Sequence, residues 1–209
     1  MSTPSLASLF AAIAAALALI PGAASAQSPT PETAPLQSLP ALTLSTYQGT
    51  WYQVALFPNR FQSQCLSDTT ATYRALPGDR IEVINRCRKA DGQMDDAVGQ
   101  ARPVGKVEAD QLKPAQLQVS FLPGWLQWLP IRGDYWVVQR AEDGRYAVVS
   151  EPSRRFLWVL SRTPSLSGED ESAIRSQLIQ QGFDLQRWTA HPHQPSTRAA
   201  PAATPAPRS

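Results

Sequence analysis

Apolar and polar residues alternate with a period of two along most of the middle of the chain. Eight stretches carry the pattern: residues 50–56, 69–75, 80–87, 97–104, 116–121, 135–139, 146–150 and 156–161. They are rich in Val, Ile, Tyr, Trp and Thr, which suit a pleated, half-buried surface, so each is predicted to be a strand. Turn chemistry separates them. Pro77-Gly78-Asp79, Ala90-Asp91-Gly92 and Glu142-Asp143-Gly144 are hairpin signals. Pro114 and Pro152 fall where a strand must begin or end, because proline cannot donate to a ladder. Helical spacing occurs once, over residues 167–181, where Ile174, Leu178 and Ile179 are placed on one face. Ser167 followed by Asp170 forms a capping signal with acids in the first turn. Gly182 is the expected stop, and Phe183, Leu185 and Trp188 offer a last extended segment.

The ends of the chain have a different character. Residues 6–20 are an apolar run rich in Ala and Leu, broken by Pro21-Gly22 and followed by Ala24-Ser25-Ala26. This pattern predicts a secretory signal over residues 1–26, cleaved to leave Gln27 first, although no Lys or Arg precedes the run. The run is shorter than the roughly 20 residues a spanning helix needs. No cysteine follows it, so no lipid anchor is expected there. Residues 27–41 form a Pro-rich linker and residues 191–209 a Pro/Ala-rich tail, both expected to be disordered. The folded unit is therefore expected over residues 42–190, within a chain of 209. A net charge of +2 and no basic cluster point away from nucleic acid.

Eight antiparallel strands with short connections lead to an all-β, up-and-down β-barrel with one C-terminal α-helix outside it. Closure removes both sheet edges, and eight strands leave room for one small ligand. A two-sheet sandwich is the rival, but its long cross-sheet connections fit these loops poorly.

Three segments carry a family resemblance. Gly49-Thr50-Trp51 opens the first strand, Gly133-Asp134-Tyr135 opens the sixth, and Leu160-Ser161-Arg162 closes the eighth. In this arrangement the chain resembles the lipocalins, in particular bacterial lipocalins of the outer-membrane lipoprotein type and their apolipoprotein-D-like relatives. The resemblance implies that Trp51 lies across the closed base of the barrel with Arg162 over its face, and that Gly49 lets the backbone turn there. It also assigns residues 58–68, 89–96, 122–134 and 151–155 to the open mouth. Cys65 and Cys87 then meet at one end, and in an exported protein a disulfide is expected.

With Arg162 at the base, strand parity predicts a cavity lined by Tyr73, Val83, Asn85, Phe121, Tyr135, Val137 and Trp158. The alternative is that these residues fill a solid core. Relatives of the apolipoprotein-D type are expected to hold lipids or steroids with aromatic and Asn residues at such positions. The mouth segment FLPGWLQWLP carries Trp125 and Trp128 without a charge. It is read as a membrane-dipping loop or a lid over the ligand, or else as a segment folded back on the barrel or paired in a dimer. Arg154 and Arg155 are placed at the mouth, where a carboxylate or phosphate head group would meet them.

Catalysis is not expected. The two histidines, His191 and His193, fall in the tail, and no metal cluster or glycine-rich phosphate loop is present in the sequence. The reading is a non-enzymatic carrier or store of fatty acids, lysophospholipids or similar lipids, without cofactor or metal, contacting a membrane peripherally, as a monomer or homodimer. It would be periplasmic or secreted, or associated with the outer membrane without a lipid anchor. The alternatives are a lipocalin-fold isomerase acting on a lipid-like substrate and a protein-interaction module using the Trp loop.

Overall fold

The computed structural model describes residues 34–123, 126 and 131–194. In chain order the elements are β1 (Leu42–Thr43), α1 (Leu44–Tyr47), β2 (Gly49–Leu56), β3 (Ser67–Leu76), β4 (Arg80–Arg88), β5 (Met94–Pro103), β6 (Lys106–Glu108), β7 (Gln111–Lys113), β8 (Gln116–Ser120), β9 (Gly133–Arg140), β10 (Tyr146–Ser150), β11 (Leu157–Ser161), α2 (Gly168–Gln180) and β12 (Thr189–Ala190). Eight of these, β2 to β5 and β8 to β11, pair antiparallel each with the next. The pairing of β11 with β2, Leu160 opposite Gln53 and Trp158 opposite Leu56, closes the barrel. All eight expected strands are present, and the fold is the expected closed barrel with one long helix outside it.

Alternation explains why the sheet curls around an apolar interior. Along β3, Ser67, Thr69, Ala71 and Tyr73 are buried while Thr70 and Thr72 between them are only partly so. Strands β9, β10, β11 and β2 bury both faces. Their inward residues, including Trp51, Val137, Val149 and Leu160, join the interior core. Their outward residues, including Val54, Val138, Val148 and Val159, form a second core with Ile174 and Leu178 of α2. Trp136 packs on this outer layer. Its size made β9 ambiguous in parity because both faces of that strand are apolar.

Helix α2 begins where Ser167 Oγ accepts a hydrogen bond from the Asp170 N–H at 3.0 Å. It ends in a Schellman arrangement: Gly182 has φ +80°, its N–H reaches the Ile179 carbonyl, and the Phe183 N–H reaches that of Leu178. The Asp170 carboxylate also receives Nε and Nη2 of Arg145, at 3.0 and 2.6 Å, which ties the helix start to the β9–β10 turn. Only two of the three residues assigned to the apolar face are inside. Ile174 and Leu178 are fully buried, but Ile179 is 63% exposed. One residue beyond Leu178 rotates about 100° around the axis, far enough to leave a narrow contact.

Two features lie outside the expected plan. A small sheet, β1–β7–β6, covers the base, with Leu42 opposite Leu112 and Val107 on the other side. The fold also runs past both expected boundaries. Leu36 is buried against the outer core, and Leu39 pairs with Ala115 and Val137 through backbone hydrogen bonds. At the other end, β12 pairs with β2, and the His191 N–H continues to the Val54 carbonyl.

Candidate ligand cavity

The base is built first by local geometry. Gly49 has φ +88°, a conformation that L side chains rarely adopt. Space is not the constraint, since an added Cβ would meet nothing closer than Arg162 Nη1 at 3.6 Å. The turn directs Trp51 inward, where it is fully buried and donates from Nε1 to the Tyr47 carbonyl at 2.8 Å. The Arg162 guanidinium lies 3.6 Å from the centroid of the Trp51 ring. It also donates to the carbonyls of Thr50, Thr46 and Gln48 at 2.9, 2.8 and 2.9 Å.

At the other end the Cys65–Cys87 disulfide joins the loop after β2 to the end of β4, across 22 residues. Between base and mouth lies a cavity of about 780 Å³. Tyr73, Val83, Asn85, Phe121, Tyr135 and Trp158 line it. Val137 does not. It is fully buried in the core layer beneath, beside Trp51 and Leu117. The parity placing it inward was right, but the cavity floor lies above its level. Arg155 borders the cavity, whereas Arg154 turns away with φ +59° to hold the Gln181 and Ala34 carbonyls. Trp125 and Trp128 lie outside the described residues.

Several cavity residues carried no sequence signal. Gln53 is 3% exposed in the wall. Its place one turn of the pleat above Trp51 was readable, but a glutamine there breaks the apolar pattern. A hydrogen-bond chain explains it. Trp158 Nε1 can only donate, and it does so to Gln62 Oε1 at 2.7 Å. Gln62 Nε2 then donates to Gln53 Oε1 at 2.9 Å, which leaves Gln53 Nε2 buried without a partner among the described residues. The chain locks the Arg60–Gln62 turn of the first mouth loop onto the barrel.

The histidines also need correcting, because neither belongs to a detached tail. His191 is 8% exposed, and its Nε2 meets Oγ1 of the cavity-lining Thr69 at 2.7 Å. His193 Nε2 meets the Gln53 carbonyl at 2.9 Å. Burial, reinforced by His193, holds the His191 imidazole below its usual pKa.

At the floor three tyrosines meet. Tyr135 Oη lies 2.6 Å from Tyr47 Oη and 2.8 Å from Tyr73 Oη. Burial pushes Tyr73 up to about 12 and raises Tyr47 and Tyr135 well above the ordinary phenol value. All three are neutral at physiological pH. Asn85, two residues nearer the mouth than Val83 on β4, has no side-chain hydrogen-bond partner among the described residues.

A barrel closed at one end by an indole under a guanidinium and hollow at the other defines a class of small-ligand carrier folds. The amino-acid sequence belongs to the same class. Residues 42–193 match the family described as a lipocalin-like domain, and the chain belongs to the lipocalin family. It is 31% identical over 172 residues to temperature-induced lipocalin-1 of Arabidopsis thaliana, covering 79% of this chain and 89% of that one. It is 34% identical over 149 residues to the outer membrane lipoprotein Blc of Escherichia coli K12, covering 70% and 77%. The solved structure of the cockroach allergen Per a 4 superimposes with a TM-score of 0.58 at 15% identity, covering 76% and 92%, a likeness of fold alone. Lipocalins bind small hydrophobic ligands and are generally binding or transport proteins.

Proposed function

We propose that the barrel stores or carries a long-chain lipid, such as a fatty acid or a lysophospholipid, in a bacterial envelope, without chemical turnover. The observation that carries this reading is the cavity of about 780 Å³, walled by Tyr73, Phe121, Tyr135 and Trp158 and closed beneath by Trp51. Its size falls within the range that encloses small organic ligands, and its few polar groups suit orientation rather than catalysis. Arg60 and Arg155 border the mouth and suit an anionic head group.

Fluorescence titration with oleate and with lysophosphatidylcholine tests the reading. Saturable, stoichiometric quenching is expected, and Trp158→Phe should remove most of it, since that indole lines the cavity. Recovery of the ligand unchanged by mass spectrometry is expected after prolonged incubation. Absence of saturable binding, or conversion of the ligand, would refute the carrier.

A further inference from the structure

The tyrosine trio contains one hydrogen too many. Three hydroxyl groups supply three hydrogens, and the two contacts at 2.6 and 2.8 Å use two. The third has no acceptor within the trio. It does not belong on Tyr47, which is 2% exposed, lies off the cavity and packs 5.1 Å from both Trp51 and Tyr73. A spare hydrogen there would be a buried donor with nothing to meet. The hydrogen is therefore carried by Tyr73 or Tyr135, and both of these line the cavity.

From this count we infer that the cavity floor is a subsite for an uncharged acceptor oxygen, so that a ligand bearing a carbonyl group binds with that group down against Tyr73 and Tyr135 and its apolar body toward the mouth. The inference rests on the cavity being a ligand site, as proposed above. Charge selects the carbonyl over a carboxylate. The cations that border the cavity include Arg60 and Arg155 at its mouth, while Arg162 is separated from the floor by the Trp51 ring. An ionised head group at the floor would be buried with a hydroxyl donor but without a counter-ion. The phenols stay neutral, held so by burial, and remain donors throughout the physiological range. Asn85, with its amide unpartnered on the adjoining wall, offers a second polar contact just above.

The test compares 2-pentadecanone with pentadecane, two chains of equal length that differ by one acceptor oxygen, and palmitate as the ionised arm. The wild-type chain is expected to prefer the ketone by about fivefold, the ordinary value of one net hydrogen bond. In Tyr47→Phe/Tyr73→Phe/Tyr135→Phe, which removes all three hydroxyls and leaves none stranded, the ketone's advantage over pentadecane should vanish, while the ratio of palmitate to pentadecane affinity stays as in the wild type. A second measurement needs no variant. Replacing the tyrosines with 3-fluorotyrosine makes each phenol a stronger donor, and the infrared carbonyl band of the bound ketone should move to lower frequency. Equal wild-type affinity for ketone and alkane, a ketone preference that survives the triple substitution, an equal loss for palmitate, or a carbonyl band unmoved by fluorination would each overturn the subsite. Failure of all three probes to bind the wild type would instead overturn the cavity reading on which it stands.

Discussion

Arg162 donates to three carbonyls within residues 46–50 and covers the ring of Trp51. Those carbonyls belong to the end of α1, the turn after it and the start of β2, so one side chain fixes the start of β2 to the end of β11. Arg162→Met keeps the stem but loses the charge and the donors. It should cost about 2 kcal/mol, read as a lowered urea midpoint. Arg162→Lys should recover less than half, because a single ammonium cannot span three carbonyls while lying flat on an indole. Gly49→Ala should cost about 1–2 kcal/mol from its φ of +88° alone, with no clash to relieve. The motif made these three residues legible. Gln53 was not, because an inward polar residue disturbs a hydrophobic alternation without announcing its partner; only Trp158 and Gln62, over a hundred and nine residues away respectively, give it one. The hydrogen count of the tyrosines needed coordinates for the same reason.

At the scale of elements, the outer helix offers a clean contrast. Leu178→Ala should destabilise by about 2–5 kcal/mol, as for a fully buried leucine, while Ile179→Ala on the exposed side should stay within about 0.5 kcal/mol. Parallel thermal melts of the two variants check this. The barrel strands were readable because turn glycines and prolines delimit them. The β6–β7 hairpin was not, since its turn places Ala109 and Asp110 at φ +49° and +66° without glycine. Three-residue strands are also too short to show a period. The C-terminal boundary failed differently. Proline content placed residues 191–209 in a tail, yet His191 is anchored by Thr69 and Val54, and Gln194 by Asp68. The lowered pKa of His191 fixes a sign. The unfolded segment takes up its proton near 6.5 while the docked one resists, so docking is full above that pH and weakens as pH falls below it. Asp68 beside it opposes the effect and His193 adds to it. The protection factor of the His191 amide, which donates to Val54, should fall on acidification from pH 7 to 5, and His191→Gln should flatten that dependence.

The barrel is a cylinder with unequal ends. The base is sealed in successive layers: the β1–β7–β6 sheet, the Arg162–Trp51 stack, and above them the buried tyrosines. The mouth is held by the disulfide and by the Gln62 chain. A base this dry stores its pH sensitivity at the alkaline side. Each phenol of the trio has a folded pKa raised by burial, Tyr73 to about 12, against an unfolded value of 10.0. Above pH 10 the unfolded chain releases these protons while the folded barrel keeps them, so the folded state binds more protons and stability falls with rising pH. The contribution is complete below pH 10 and is progressively lost as pH climbs toward 12. Urea midpoints measured from pH 8 to 12 should therefore drop more steeply for the wild type than for the triple Tyr→Phe variant at positions 47, 73 and 135. Lysines and arginines titrate in both proteins alike, so the difference between the two curves isolates the floor. Parallel curves would mean that water reaches the three hydroxyls in solution, and that the seal beneath the cavity is not dry.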